Sequence, residues 1–176
     1  TVQAYGELRF LMSGTTSIAG GGGVPGLIRN VDTSPEDLDG LPIRIANSDV
    51  FPLSTPSKNL ARGCDYSPGR TTTGEVAQVD AYLPHISEGI DEEAHNEFVC
   101  TSDGEYDLVQ RQTGIIHAVA LTPADAKTIQ KDLAKVVWSP RSNTDLYGNT
   151  AQAVMLDLAG VVIALGTDWV PSGSMN

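Results

Sequence analysis

Residues 114–140 read "GIIHAVALTPADAKTIQKDLAKVVWSP", and this stretch decides the fold. "GIIHAVAL" carries apolar residues on consecutive positions, the pattern of a strand covered on both faces rather than one facing water. Thr122 then offers a helix N-cap and Pro123 a first helical residue, so "TPADAKTIQKDLAK" reads as a helix. "KVVWSP" is the next strand. Strand, helix and strand in this order make a right-handed βαβ unit and a parallel sheet.

The same pattern extends both ways. Upstream, "DAYLPHI" (80–86) is a strand, followed by helical "DEEAHNEFVC" (91–100) and a second helical piece near "EYDLVQRQ" (105–112). Downstream, "TAQAVMLDLAG" (150–160) is a helix stopped by Gly160, and "VVIALGTD" (161–168) is a strand. Residues 80–170 are therefore expected to be α/β with parallel strands. The earlier half is less regular: a helix over 2–12, short strands at "TTSIA" and "LPIRIAN" (41–47), and loops rich in Pro, Ser, Thr and Gly from Asn47 to Asp80.

With 176 residues, 40% of them hydrophobic, the chain can build one domain with a core. Its 22 acidic against 11 basic residues argue against nucleic acid or an anionic membrane as partner, since both need clustered Lys and Arg. No apolar run is long enough to span a bilayer, and the start at Thr1 leaves the compartment unread. Cys64 and Cys100 either pair or stay reduced; spacing does not decide, and two cysteines do not suggest a zinc site.

Gly21, Gly23 and Gly26 in "TSIAGGGGVPGLIRN" satisfy the spacing of a dinucleotide loop. Such a loop must open a helix, yet Pro25 sits inside the motif and only "LIRNVDT" separates Gly26 from Ser34-Pro35. The run reads instead as a loop leaving an early strand, and no nucleotide cofactor is expected.

Polar residues fall at equivalent places in the βα units. His85 and Glu88 close the first strand, His117 lies at or near the end of the second, a "SPRSN" turn (139–143) follows the third, and Asp168 follows the fourth. In parallel α/β folds the C-terminal strand ends form the rim on which active sites are built. Imidazole with carboxylate is a ligand set for zinc or iron. Singly, each has a plainer reading: a lone strand His is usually a hydrogen-bonded core residue, and "GTD" is a common turn. Their common placement makes a metal-type site the expectation. His95, in polar "DEEAHNEF", reads as solvated.

"AYLPHISEG", "GIIHAVAL", "VVWSPRSNTDLYGNT" and "GVVIALGTDWVPSG" together resemble the later strands of the amidohydrolase superfamily. The nearest branch contains cytosine, guanine and S-adenosylhomocysteine deaminases, chlorotriazine hydrolases and imidazolonepropionase. The resemblance implies a (β/α)₈ TIM-type barrel, with residues 1–176 a single incomplete barrel domain covering roughly strands 2 to 8. It implies one divalent metal, Zn or Fe, and hydrolysis of a carbon–nitrogen bond in a small molecule. His85 would be a metal ligand. Glu88 would shuttle a proton, and His117 would polarise the substrate or serve as a further ligand. Asp168 would be both ligand and base, and Ser142 and Asn143 would line the pocket. Trp169 and Arg141 lie beside this rim without an assigned role.

The family's first-strand H-x-H is absent, since the only histidines are His85, His95 and His117. The chain is also short of the ~250 residues of a complete barrel. It therefore reads as a piece of such an enzyme, beginning after the first strand and ending just beyond the eighth. The alternative is a non-catalytic binding or assembly protein that has lost the metal site. Open barrel edges would favour self-association.

Overall fold

The computed structural model describes residues 2–19, 23–31, 46–53, 59–66, 70–169 and 172–173. In chain order the elements are α1 (Val2–Met12), β1 (Ser17–Ile18), β2 (Arg29–Asn30), β3 (Ala46–Asp49), α2 (Thr73–Val76), β4 (Ala81–Ile86) and α3 (Glu92–Thr101). There follow β5 (Gly114–His117), α4 (Pro123–Lys131), β6 (Lys135–Trp138), α5 (Pro140–Tyr147), α6 (Ala153–Leu158) and β7 (Val162–Leu165). The quoted stretch is β5–α4–β6, with Thr122 and Asp125 forming a reciprocal cap in which each side chain accepts the other's backbone N–H.

β3 to β7 form one parallel sheet in sequence order, β3-β4-β5-β6-β7, alternating with helices, and β1 and β2 make a separate parallel pair. The β4–β5 ladder keeps one register from the Tyr82–Thr113 bridge to the His85–Ile116 pair. Between them stands Pro84, which has no N–H to give a neighbour.

One face of the sheet packs on its helices through a core that includes Ile86, Phe98, Val109, Ile115, Ile129 and Leu156, all at 2% exposure or less. The other face is open. Leu83, Gly114, Val137, Val162 and Ala164 line a groove there of about 680 Å³, with Asp80, Arg111 and Lys135 also along its walls.

Five expectations need revision or completion. The segment near 105–112 is not helical: a 3₁₀ turn at Gly104–Tyr106 gives way to irregular chain. Leu108 and Val109 are both fully buried there, and adjacent positions do not share one face of a helix. "SPRSN" is not a turn but the opening of α5, with Pro140 in its first turn and Gly148 (φ +63) ending it. The strands are not covered on both faces: one face of the sheet is open, and on β7, whose one neighbour in the sheet among the described residues is β6, Val162 and Leu165 are 64% and 76% exposed.

His95 is not simply solvated, because its Nε2 meets Asp125 Oδ2 at 3.0 Å and ties α3 to α4. Cys64 and Cys100 are joined in a disulfide, pinning α3 to the 59–66 segment. α1 and β1 stand where expected, while most of "LPIRIAN" and the glycines at 20–22 lie outside the described residues. Gly26 (φ +83) occupies a turn that leads into β2 rather than a helix.

Candidate metal centre

Adjacent parallel strands bring their C-terminal ends together, and the register pairs His85 with Ile116 and Ile86 with His117. Strict alternation would then send the two imidazoles to opposite faces of the sheet. The chain avoids this by breaking the pleat: His117 has φ +73 and Ala118 φ +54. Left-handed backbone at a non-glycine residue costs about 1 kcal/mol or more and persists only where its surroundings enforce it. The two rings consequently lie 5.1 Å apart between centroids, at 47° to one another.

Each imidazole is fixed through Nδ1. His85 Nδ1 donates to the Asp49 carbonyl at 3.1 Å, and His117 Nδ1 donates to Asn143 Oδ1 at 2.9 Å. A neutral imidazole that donates through Nδ1 keeps its lone pair on Nε2. Such anchoring of the remote nitrogen is how metal-ligating histidines are usually oriented. His117 is buried at 1% exposure, whereas His85 is half-buried.

Glu88 completes the group. One donor atom from each of His85, Glu88 and His117 lies within 4.8 Å of the others, the one set of its kind among the described residues. Glu88 Oε1 is 3.4 Å from His117 Nε2 and accepts the Tyr147 O–H at 2.6 Å. Just before it, Ser87 adopts φ +58 while its N–H donates to Glu97 Oε2 at 3.1 Å. Burial pushes the Glu97 carboxyl up to about 7, with its Ser87 hydrogen bond opposing and the charge of Glu88 adding to the rise. Burial, then the hydrogen bond to Glu88 and its charge, raise the Tyr147 phenol, so it stays protonated and donates.

Asp168 lies outside the three-residue group. It follows β7 with φ +56, accepts the Ser142 hydroxyl through Oδ2, and takes the Trp169 N–H through Oδ1 at 2.7 Å. Ser142 and Asn143 are fully buried on α5, the first bonded to Asp168 and the second to His117. Trp169 is 63% exposed, with its indole N–H on Ser172 Oγ at 2.8 Å, and Arg141 is exposed. Tyr147, Glu97 and Asp49 were not singled out by the sequence. Tyr147 had a signal once α5 is granted, since it stands four residues after Asn143 and so on the same helix face.

No protein-family model and no curated protein matches the sequence. Solved structures do match. A zinc-containing adenosine deaminase from Xanthomonas campestris is 16% identical, with a TM-score of 0.57 over 97% of this chain and 45% of its own. A triply substituted triazine hydrolase is 12% identical, with a TM-score of 0.61 over 98% and 49%. A triazine hydrolase from Arthobacter aurescens, at 12% identity and a TM-score of 0.51, covers 82% and 30%. Both kinds of protein are amidohydrolase-superfamily members, and at such identity the likeness establishes the fold. The chain has the α/β architecture of these TIM-barrel proteins and spans about half or less of their length.

Proposed function

We propose that this chain carries part of the active site of a metal-dependent hydrolase that acts on carbon–nitrogen, non-peptide bonds of a small molecule, by amide hydrolysis or deamination. The observation that carries the reading is the convergence of His85, Glu88 and His117 at neighbouring strand ends. Two imidazoles with anchored Nδ1 atoms and one carboxylate fit zinc or iron. When bound, such an ion supplies Lewis acidity and brings the pKa of water toward neutrality.

The remaining work falls to the chain. His85 and His117 would hold the ion through Nε2, their Nδ1 atoms being taken by the Asp49 carbonyl and Asn143 Oδ1. Glu88 takes up the proton that Asp168 removes from the attacking water and delivers it to the departing nitrogen, so one proton passes from water to leaving group. Asp168 orients the attacking water and accepts its proton, its own carboxylate steadied by Ser142 and the Trp169 N–H. Ser142 and Asn143 shape the pocket wall from α5. The complete activity is proposed for a protein in which the rest of the barrel is present.

The test is zinc content by elemental analysis after loading and gel filtration of the purified chain. Zinc retained by the unaltered chain and lost in His85→Ala and His117→Ala is the expected outcome. Equal zinc in all three would overturn the reading and favour the second one, a binding or assembly protein without a metal site. The absence of any H-x-H in the chain is the observation on that second side.

A further inference from the structure

We infer that Tyr147 is a positioning residue for Glu88, its phenol holding the carboxylate within reach of His85 and His117. The inference rests on the metal-site reading above and assigns a role to a residue that reading does not use. Glu88 lies beyond the end of β4, 28% exposed, on a side chain with three rotatable bonds. Left alone, such a carboxylate populates rotamers that reach water. Two contacts prevent this. Glu97 accepts the Ser87 N–H and fixes the backbone, while Tyr147 donates to Glu88 Oε1 at 2.6 Å and fixes the side chain.

The phenol suits this task. Tyr147 is one turn along α5 from Asn143, whose Oδ1 anchors His117 at 2.9 Å. One helix face therefore sets both the imidazole of β5 and the carboxylate after β4, and their relative position is fixed by a rigid element. The contact engages Oε1, the same oxygen that lies 3.4 Å from His117 Nε2, so the phenol holds the very atom that faces the imidazole. Held there, the carboxylate places its negative charge beside the cation whether or not it ligates directly.

A double-mutant cycle read by cobalt(II) titration of the chain tests this, with visible absorption as signal and thermal melting by circular dichroism as fold control. Y147F is expected to weaken cobalt binding about tenfold, within the range typical when the partner of a metal ligand is removed. E88Q weakens it as well, and Y147F adds nothing in the E88Q background, because the phenol acts only through that carboxylate. Unchanged affinity in Y147F overturns the inference, as does an equal further loss in E88Q/Y147F, which would mark Tyr147 as merely structural. Cobalt bound by the unaltered chain but indifferent to Tyr147 leaves the metal site standing. No cobalt bound at all removes the metal site and the role of Tyr147 together. Should Y147F fail to fold, E88D serves instead: it withdraws the carboxylate from an intact Tyr147 and is expected to reproduce the loss, and full cobalt affinity in E88D overturns the inference.

Discussion

β5 and β7 are written in the same alphabet, "GIIH" and "VIAL", and occupy opposite situations. β5 has β4 on one side and β6 on the other, and Ile115 at its centre is fully buried. Among the described residues β7 has β6 alone, and Val162 and Leu165 stand open on its two faces. α6 repeats the contrast: Leu156 enters the core while Val154 and Leu158 are 75% and 82% exposed. A run of apolar residues thus specifies that a strand wants two covered faces. The neighbours decide whether it gets them.

This contrast can be broken by measurement. Ile115→Ala deletes side-chain volume where collapse is hardest, and a loss of about 4 kcal/mol in denaturant unfolding is expected. A loss under 1 kcal/mol would mean that the interior is loosely packed and the contrast is false.

The second measurement sharpens the covered side with a charge. Burial disfavours the charged form of Glu97 and pushes its carboxyl in the folded chain up to about 7 from the ordinary 4.5. The folded state therefore prefers the protonated acid. Its stabilising contribution is complete below about pH 4.5 and is lost as pH rises through 7, a swing of roughly 3 kcal/mol. Glu97→Gln keeps an acceptor for the Ser87 N–H and should flatten that part of the stability–pH curve. An unaltered curve in the variant would show that Glu97 is not its source.

The smallest effect belongs to the edge. Leu165→Ala should change stability by no more than about 0.5 kcal/mol, as at most exposed sites. A loss rivalling that of Ile115→Ala would mean that β7 is covered in solution. Sedimentation of the two proteins would then tell whether a second copy is the cover.

The βαβ units were legible because their strands are short and largely apolar and their helices begin and end on strong signals: Thr122-Pro123 at one end of a helix, Gly160 at the end of another. What escaped depended on contacts distant in sequence. Nothing local says that His95 will find Asp125, 30 positions on. α5 was hidden by its own composition, since Ser, Pro and Asn favour turns unless tertiary packing rewards a helix, as the burial of Ser142 and Asn143 does here. Segment 105–112 failed oppositely: its residues tolerate a helix, but burying Leu108 and Val109 together does not. In the candidate site, strand-end position pointed to His85, Glu88 and His117, which lie together, and to Asp168, which lies outside that group, whereas Tyr147 and Glu97 required the helices to be placed.

The left-handed residues at the ends of β4, β5 and β7 (Ser87, His117 and Asp168) have a consequence for anyone who alters this protein. Glycine relieves a positive φ, so a library selected for heat resistance alone would be drawn toward glycine at all three. Two of them carry the side chains of the rim, and the third aims Glu88. Directed evolution guided only by melting temperature would therefore climb by dismantling the candidate site, and any screen should score the proposed metal binding alongside survival.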